Sequence, residues 1–182
     1  MPNRFPPFDP DNLDAEARRV YDRILTERGY VPGPYLFWVA SPGFADRIEP
    51  VEEFLRHGVS LGERLVEIAV LVVAKHWRAQ YVWTSHGPAA EKAGVDAGIV
   101  EAIRAGDAPM FDRDDEATCY RFYAAMMGGQ GADDELWAEA CAAFGETGVN
   151  ELLGLLGFYT SVCLTMVGYR MPTKNGEPEP LA

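Results

Sequence analysis

Two side chains near the middle of the chain, Glu67 and His86, have the types and settings that acid–base chemistry requires. An imidazole exchanges protons near neutral pH, and burial and neighbouring charges tune that exchange. On a helix, His86 would share one face with four apolar residues: Ala79, Val82, Trp83 and Ala90. Glu67 lies in an apolar run, so its carboxylate is expected to be partly buried and to need a partner, which Arg78, Tyr81 or His86 could supply.

Each member of this pair also has a structural interpretation. His86 could be a core histidine that donates a hydrogen bond to a backbone carbonyl oxygen. Glu67 could belong to a solvated edge of its helix, together with other charged residues: Glu63, Arg64, Lys75 and Arg78. A catalytic pair predicts that the two side chains bond to each other beside a cavity, whereas a structural histidine needs no open space beside it.

Aromatic side chains near the pair are the candidate ligand-binding groups. Tyr35, Tyr81 and Trp83 have hydroxyl or indole donors that can orient a polar ligand, although such residues more often complete a core. The other two histidines have simpler interpretations. His57 and His76 stand at predicted helix ends, where a cation complements the helix dipole.

The sequence argues against several other kinds of site. Thr84 and Ser85 are too close to His86 on one helix to face it as nucleophiles. There is no glycine-rich phosphate loop, and no carboxylate–histidine cluster at metal-ligand spacing, so no metal site is expected. The three cysteines are far apart and are expected to be buried, reduced thiols: Cys119, Cys141 and Cys163.

Composition is that of one globular domain spanning residues 1–182, with 48% hydrophobic and 24% charged residues. A formal net charge of −12 and the absence of a basic cluster exclude nucleic acid as a partner. The first residues lack the apolar segment of a signal peptide. The apolar run at 152–167 contains polar residues and glycine, which favours a core helix over a membrane span. A cytoplasmic protein without a membrane partner is expected.

The elements that must position the pair are a central helix and the segment that follows it. Residues 65–74 are apolar on almost every side, which predicts a helix in the middle of the core. Ser60 and Glu63 match a capping box that would start this helix. Residues 77–91, which carry His86, are expected to form the second element.

Helix caps and glycine stops predict the rest of the chain. Helices are expected over 14–28, 42–57, 96–105, 114–127 and 135–144, with a short one starting at Pro34 and a last one running from Thr147 or Asn150 to 170. No segment has the alternation typical of a strand. The fold class is therefore all-α, with about eight helices. Residues 1–12 are expected to form an extended arm over the body or a partner subunit, and residues 171–182 a loose tail.

The segment EIAVLVVAKHWRAQYVWTSHGPAAEKAGV, followed by DAGIVEAIRAG, resembles the carboxymuconolactone decarboxylase and alkylhydroperoxidase D superfamily. The resemblance covers residues 61–106 and depends on the apolar helix, the glutamate, the Y-x-W-x-x-H motif and the A-G-V turn in that order. It implies an alkylhydroperoxidase D-like helical bundle. The peroxidase branch carries a C-x-x-C pair between the glutamate and the histidine, but Ala79 and Val82 occupy those positions here. The resemblance therefore implies the branch that lacks the thiol pair.

For function, the resemblance implies a cofactor-free, decarboxylase-like lyase that uses acid–base chemistry on a small lactone or unsaturated carboxylic acid. His86 would deliver a proton to carbon and Glu67 would orient it, while we hypothesise that Arg78 or Tyr81 binds a carboxylate or lactone oxygen. The alternatives are a non-catalytic binding or assembly protein on the same fold and, third, a peroxiredoxin-like alkylhydroperoxidase. Since members of the superfamily are homo-oligomers, a homodimer, trimer or hexamer is expected.

Overall fold

The computed structural model describes Arg4 and residues 8–181, except for the side chain of Asn175. These residues form eight α-helices and no strand: α1 (Ala15–Arg28), α2 (Tyr35–Trp38), α3 (Pro42–His57), α4 (Glu63–His76), α5 (Gln80–Lys92), α6 (Ala97–Ala105), α7 (Asp114–Met127) and α8 (Asp134–Tyr169). Two 3₁₀ turns, Pro10–Asn12 and Lys174–Gly176, flank them. The all-α prediction of about eight helices is confirmed.

Helix α4 is the centre of the molecule. All ten of its residues from 65 to 74 are buried, and the helix packs against α5, α6, α7 and α8. A helix that is apolar all round has no face to give to water, so its neighbours must enclose it. The predicted central helix is therefore confirmed, and Glu67 is a carboxylate on its most enclosed stretch, with 6% of its surface exposed.

The capping box predicted at the start of α4 is wrong. Gly62 is the N-cap and makes no side-chain capping bond, whereas both the hydroxyl and the backbone N–H of Ser60 donate to Glu151 Oε2 on α8, at 2.6 and 2.8 Å. The Ser60 hydroxyl therefore bonds to a carboxylate on a distant helix and is not used for the local capping box. Other predicted caps are confirmed, since Asp14 and Asp96 cap α1 and α6.

The second element begins later than predicted, because residues 77–79 form a turn and α5 starts at Gln80. Arg78 adopts a left-handed backbone with φ 51°, and the N–H of Ala79 bonds to the carbonyl of Ala74 at 2.9 Å. A continuous helix would have moved His86 away along the α4 axis. The turn instead reverses the chain, so that α5 lies back against α4.

Helix α8 contains a break at Gly145, whose φ of 68° and ψ of 172° are not helical. The second half starts directly after this glycine, so Asn150 does not open it; its side chain bonds back to the carbonyl of Glu146 at 2.9 Å. By length and composition alone α8 could cross a membrane. Seven of its side chains after residue 151 are instead buried in the protein, as in a core helix: Leu152, Leu155, Phe158, Tyr159, Val162, Cys163 and Met166.

The described residues nearest to each end of the chain contact the body. Of the predicted arm, residues 1–3 and 5–7 are outside the described part of the chain, but the backbone N–H of Arg4 donates to the carbonyl of Tyr169 at 3.2 Å. The segment predicted to be a loose tail, residues 171–181, is largely exposed but is attached at its far end. Leu181 is 5% exposed and exchanges two hydrogen bonds with the side chain of Gln80, and Arg104 donates to the carbonyl of Pro180.

Candidate functional site

Glu67 and His86 are in direct contact. Nδ1 of His86 lies 2.7 Å from Oε2 of Glu67, although the two residues are 19 positions apart in the chain. Their side chains are only 14% and 8% exposed. Because a carboxylate accepts, the shared proton is assigned to Nδ1, and this bond fixes the tautomer and the orientation of the ring. The α4–α5 turn therefore builds an oriented imidazole.

Arg56 and Tyr159 extend this pair into a cluster of four side chains. Arg56 Nη2, on α3, lies 3.8 Å from the second oxygen of Glu67, and Arg56 Nη1 donates to the Tyr159 hydroxyl at 2.8 Å. The Tyr159 ring meets the His86 ring edge to face, with centroids 5.3 Å apart. Four helices, α3, α4, α5 and α8, and the turn between α4 and α5 are thus required to assemble the cluster.

The protonation states in this cluster follow from burial and charge. Burial raises the pKa of the Tyr159 hydroxyl far above its usual range, and Arg56 offsets this only in part. Burial alone would lower the pKa of Arg56, but its interactions with Tyr159 and with the Glu67 carboxylate leave it raised. Tyr159 is therefore a neutral phenol and Arg56 a permanent cation. Since the phenol oxygen already accepts from Arg56, its own proton remains available for donation.

A cavity of about 330 Å³ opens beside His86. Its wall is rich in aromatic and cationic groups: Arg28, Tyr30, Trp38, Arg56, His57, Tyr81, His86, Phe158, Tyr159 and Lys174. Glu52 is its one carboxylate. In a chain of net charge −12, this concentration of cations favours a small anionic ligand with an apolar, planar body.

Another part of the cavity wall is a layer of charged side chains centred on Arg28. Its Nη1 lies 3.2 Å from Glu52 and its Nε lies 3.4 Å from Glu49. The Tyr35 hydroxyl donates to Glu52 at 2.6 Å, and burial, followed by Glu52, raises the pKa of that hydroxyl. Arg28 Nη2 is buried without a hydrogen-bond partner among the described residues, but it lies 3.7 Å from Glu53 Oε2, so its charge is paired.

The predicted ligand-binding residues occupy different places. Tyr81 lines the cavity, and it packs so closely on Gly33 that a Cβ at that position would lie 2.6 Å from the Tyr81 oxygen. Tyr35 is fully buried and does not line the cavity, but it contacts three residues that do: Arg28, Trp38 and Glu52. Trp83 is a core residue, 5% exposed. Arg78 is exposed at the turn and lines a separate cavity with Arg170, so it is not beside His86.

Sequence reasoning missed Arg56, Tyr159 and Lys174. Arg56 stands beside His57 at the end of α3, where basic residues are ordinary, and Tyr159 stands in an apolar run typical of a core helix. The one available signal was that Tyr159 is a hydroxyl-bearing residue in a run that needs none. Its partner is 103 positions away, and no spacing rule reaches that far.

With this geometry established, comparison with solved structures identifies the architecture. An uncharacterised peroxidase-related protein from Silicibacter sp. TM1040 matches with a TM-score of 0.75 and 15% identity, over 96% of this chain and 93% of that one. The chain has the alkylhydroperoxidase D-like fold. A peroxidase-related protein from Ralstonia eutropha JMP134, described as an alkylhydroperoxidase AhpD core, matches with a TM-score of 0.75, 12% identity, and coverage of 96% and 94%.

A third structure with this fold is a variant of the debrominase Bmp8 in complex with 2,3,4-tribromopyrrole. Its TM-score is 0.68 at 14% identity, over 91% of this chain and 88% of that one. No family model and no curated protein matches the sequence. At 12–15% identity, the similarity to these structures is evidence for a shared fold alone. It confirms the architecture expected from the sequence.

In this version of the alkylhydroperoxidase D-like fold, none of the three cysteines lines the cavity beside His86. Cys119 and Cys163 are buried, as predicted, but Cys141 is only half-buried. Burial raises the pKa of Cys163 to about 12 and that of Cys119 further. Both are thiols, not thiolates, at neutral pH. Among the described residues, no group of three or more His, Cys, Asp or Glu side chains could hold a metal ion.

Thiol labelling tests this assignment. At about pH 8, we expect a disulfide reagent such as dithionitrobenzoate to modify only Cys141 promptly in the native protein, because thiolate forms slowly where the thiol pKa is raised and access is blocked. The same protein unfolded in guanidinium should release the full signal of three thiols. Prompt labelling of two or three thiols before unfolding would contradict the burial and the raised pKa values.

Proposed function

We propose that this protein is a cofactor-free enzyme of the decarboxylase-like kind, acting by acid–base chemistry on a small unsaturated lactone that carries a carboxylate. The observation that carries the proposal is the contact between Glu67 and His86 beside an open cavity. A histidine retained only for packing would not need that cavity. The cationic wall around it suits the carboxylate of such a ligand.

The chemistry can be written for a minimal substrate, 5-oxo-2,5-dihydrofuran-2-carboxylate. The bond from the ring to the carboxylate breaks and carbon dioxide leaves. The electron pair of that bond passes into the conjugated ring, and the former carbonyl oxygen becomes an enolate oxygen. His86, protonated on both nitrogens, gives one proton to the carbon that lost the carboxylate, which yields furan-2(5H)-one. One proton is consumed for each carbon dioxide released, and solvent replaces it on His86.

The four clustered side chains have distinct roles in this proposal. Glu67 holds the Nδ1–H of His86 and leaves Nε2 for the ring carbon. Tyr159 donates a hydrogen bond from its phenolic O–H to the enolate oxygen and keeps its proton, and Arg56, bonded to the phenol oxygen, strengthens that donor. Donors that are already oriented in a half-buried site stabilise developing charge without reorganisation. The proton donor His86 and the oxyanion donor Tyr159 are thus neighbours whose rings are in edge-to-face contact.

The test is turnover of this lactone acid by the purified wild-type protein without added metal or cofactor. Loss of substrate, release of carbon dioxide and uptake of one proton per turnover would support the proposal. A complete absence of turnover of this acid would exclude the decarboxylase-like activity on it.

The two alternatives differ in what favours them. A thiol peroxidase has little support, since Ala79 and Val82 lie at the start of α5 where the branch with two cysteines has its thiols. A non-catalytic assembly protein has one observation in its favour, which is an uncharged outer face on α8. From Leu152 to Tyr169 there is no charged residue, over roughly 27 Å of helix.

That face supports self-association, whether or not the protein is an enzyme. Gly154, Gly157 and Gly168 are exposed on it, and Leu164 and Val167 are 48% and 42% exposed. Small residues let a second helix approach closely, and an uncharged stripe matches its own copy without unpaired charge. We propose a homo-oligomer in the cytoplasm, built through α8.

An oligomer can be tested with a single charge. Leu164→Glu should convert the assembly to a monomer in light scattering after gel filtration, because two copies of the carboxylate would be buried opposite each other. Leu25→Glu is the matched control, since Leu25 is 40% exposed on α1, and it should leave the assembly intact. If wild type is already monomeric at micromolar concentration, or if both variants dissociate equally, α8 is not the interface.

A further inference from the structure

The C-terminal segment, residues 171–181, is fastened to the helix that carries His86. The backbone N–H of Lys174 lies 3.2 Å from Thr84 Oγ1. At the far end, Gln80 donates to the carbonyl of Leu181 at 2.8 Å and accepts from its N–H at 2.9 Å. Gln80 and Thr84 are one turn apart on α5. The segment therefore has a defined position relative to His86.

This position makes Lys174 part of the cavity wall. The two arginines of the wall already form ion pairs. Arg28 pairs with Glu49 and Glu52, and Arg56 pairs with Glu67. Within the described residues, Lys174 forms no ion pair. It is one of three lysines in an acidic chain, and it brings to the cavity wall a positive charge that no described carboxylate neutralises.

We propose that Lys174 is the residue that recognises the carboxylate of the ligand. The ligand class is that of the proposed function, and this inference adds the group that selects an acid over a neutral lactone. Lys174 would bind the carboxylate in the ground state and would not contact the carbon that receives the proton. Because this contact weakens as carbon dioxide leaves, Lys174→Met should raise KM without lowering kcat. Lys174 is thus a specificity-determining residue, held in place by Thr84 and by the anchored Leu181.

Binding can be measured apart from turnover with a saturated probe. 5-Oxotetrahydrofuran-2-carboxylate lacks the conjugated double bond that decarboxylation needs, and its carboxamide has the same shape without the charge. By titration calorimetry we expect wild type to bind the acid about tenfold more tightly than the amide, as one charge-assisted contact at a partly exposed site provides. Lys174→Met should abolish that preference, and Lys174→Arg should keep most of it.

Lys92→Met is the matched control, because Lys92 is exposed on α5 and does not line this cavity. It removes the same charge and should keep the preference for the acid. An unchanged preference in Lys174→Met, or an equal affinity of wild type for acid and amide, would overturn the assignment even if turnover is observed. Tight acid binding that depends on Lys174, without turnover of the unsaturated acid, would support the assignment and remove the decarboxylase activity. If wild type binds neither probe, both inferences are overturned.

Discussion

Replacing His86 with alanine is expected to lower kcat on 5-oxo-2,5-dihydrofuran-2-carboxylate by roughly 10²–10⁴-fold, the usual contribution of a positioned general acid. The imidazole is 2.7 Å from Glu67 and borders the cavity, and no other titratable group of the described residues occupies that position. Because the substrate carboxylate is bound elsewhere, KM should change little. The measurement is initial rate of carbon dioxide release across substrate concentration.

Glu67→Gln separates orientation from proton delivery. The amide keeps the size of the side chain but can turn its NH₂ toward Nδ1, which would stabilise the wrong tautomer of His86. We expect a large loss in kcat, smaller than that of His86→Ala, with KM again nearly constant. His76→Ala is the control, since His76 is exposed at the end of α4 and away from the cavity. Equal rates for wild type and His86→Ala would remove the histidine from the mechanism.

Replacing Arg28 with methionine is expected to destabilise the protein by about 3–5 kcal/mol, the range for leaving a buried charge without its partner. Arg28 is 16% exposed between Glu49 and Glu52, whose side chains are 9% and 15% exposed. Because methionine retains most of the side-chain volume, the loss of stability would come from the missing charge and not from a cavity. Glu52 would keep only the Tyr35 hydroxyl as a partner among the contacts described above.

The comparison for Arg28 is an exposed arginine of the same layer. Arg19 is 54% exposed and pairs with Asp46, which also pairs with Arg23, so Arg19→Met should cost about 0–1 kcal/mol. Urea unfolding monitored by circular dichroism gives both values, and unchanged slopes would show that compactness is preserved. Equal losses in the two variants would mean that burial does not distinguish the two ion pairs.

Much of the fold is local and was readable in the sequence. The ten residues of α4 from 65 to 74 are apolar on almost all sides, and only a central position allows that pattern. Helices α1 and α6 start at the N-caps Asp14 and Asp96 and stop at the left-handed Gly29 and Gly106. These signals are local because each capping bond joins residues within about one turn. Because such signals depend only on neighbours in the chain, they can be recognised without the tertiary structure.

The candidate pair was predictable as residues and not as a contact. Glu67 and His86 could be recognised as a carboxylate and an imidazole in apolar surroundings, but their bond required the reversal at Arg78. The capping box at Ser60 failed for a related reason. Glu151 lies 91 positions away and competes for the same hydroxyl, and a local motif contains no information about such a competitor.

The sequence by itself determined the all-α class, the central helix and the chemical types available at residues 67 and 86. Only the tertiary structure decided that Arg56 and Tyr159 complete the cluster, that Arg78 and Trp83 lie outside the cavity, and that Lys174 borders it. The physical reason is range. Helix periodicity and capping are set by hydrogen bonds spanning three or four residues, whereas a cavity wall is set by how whole helices pack, and packing joins positions more than ninety residues apart.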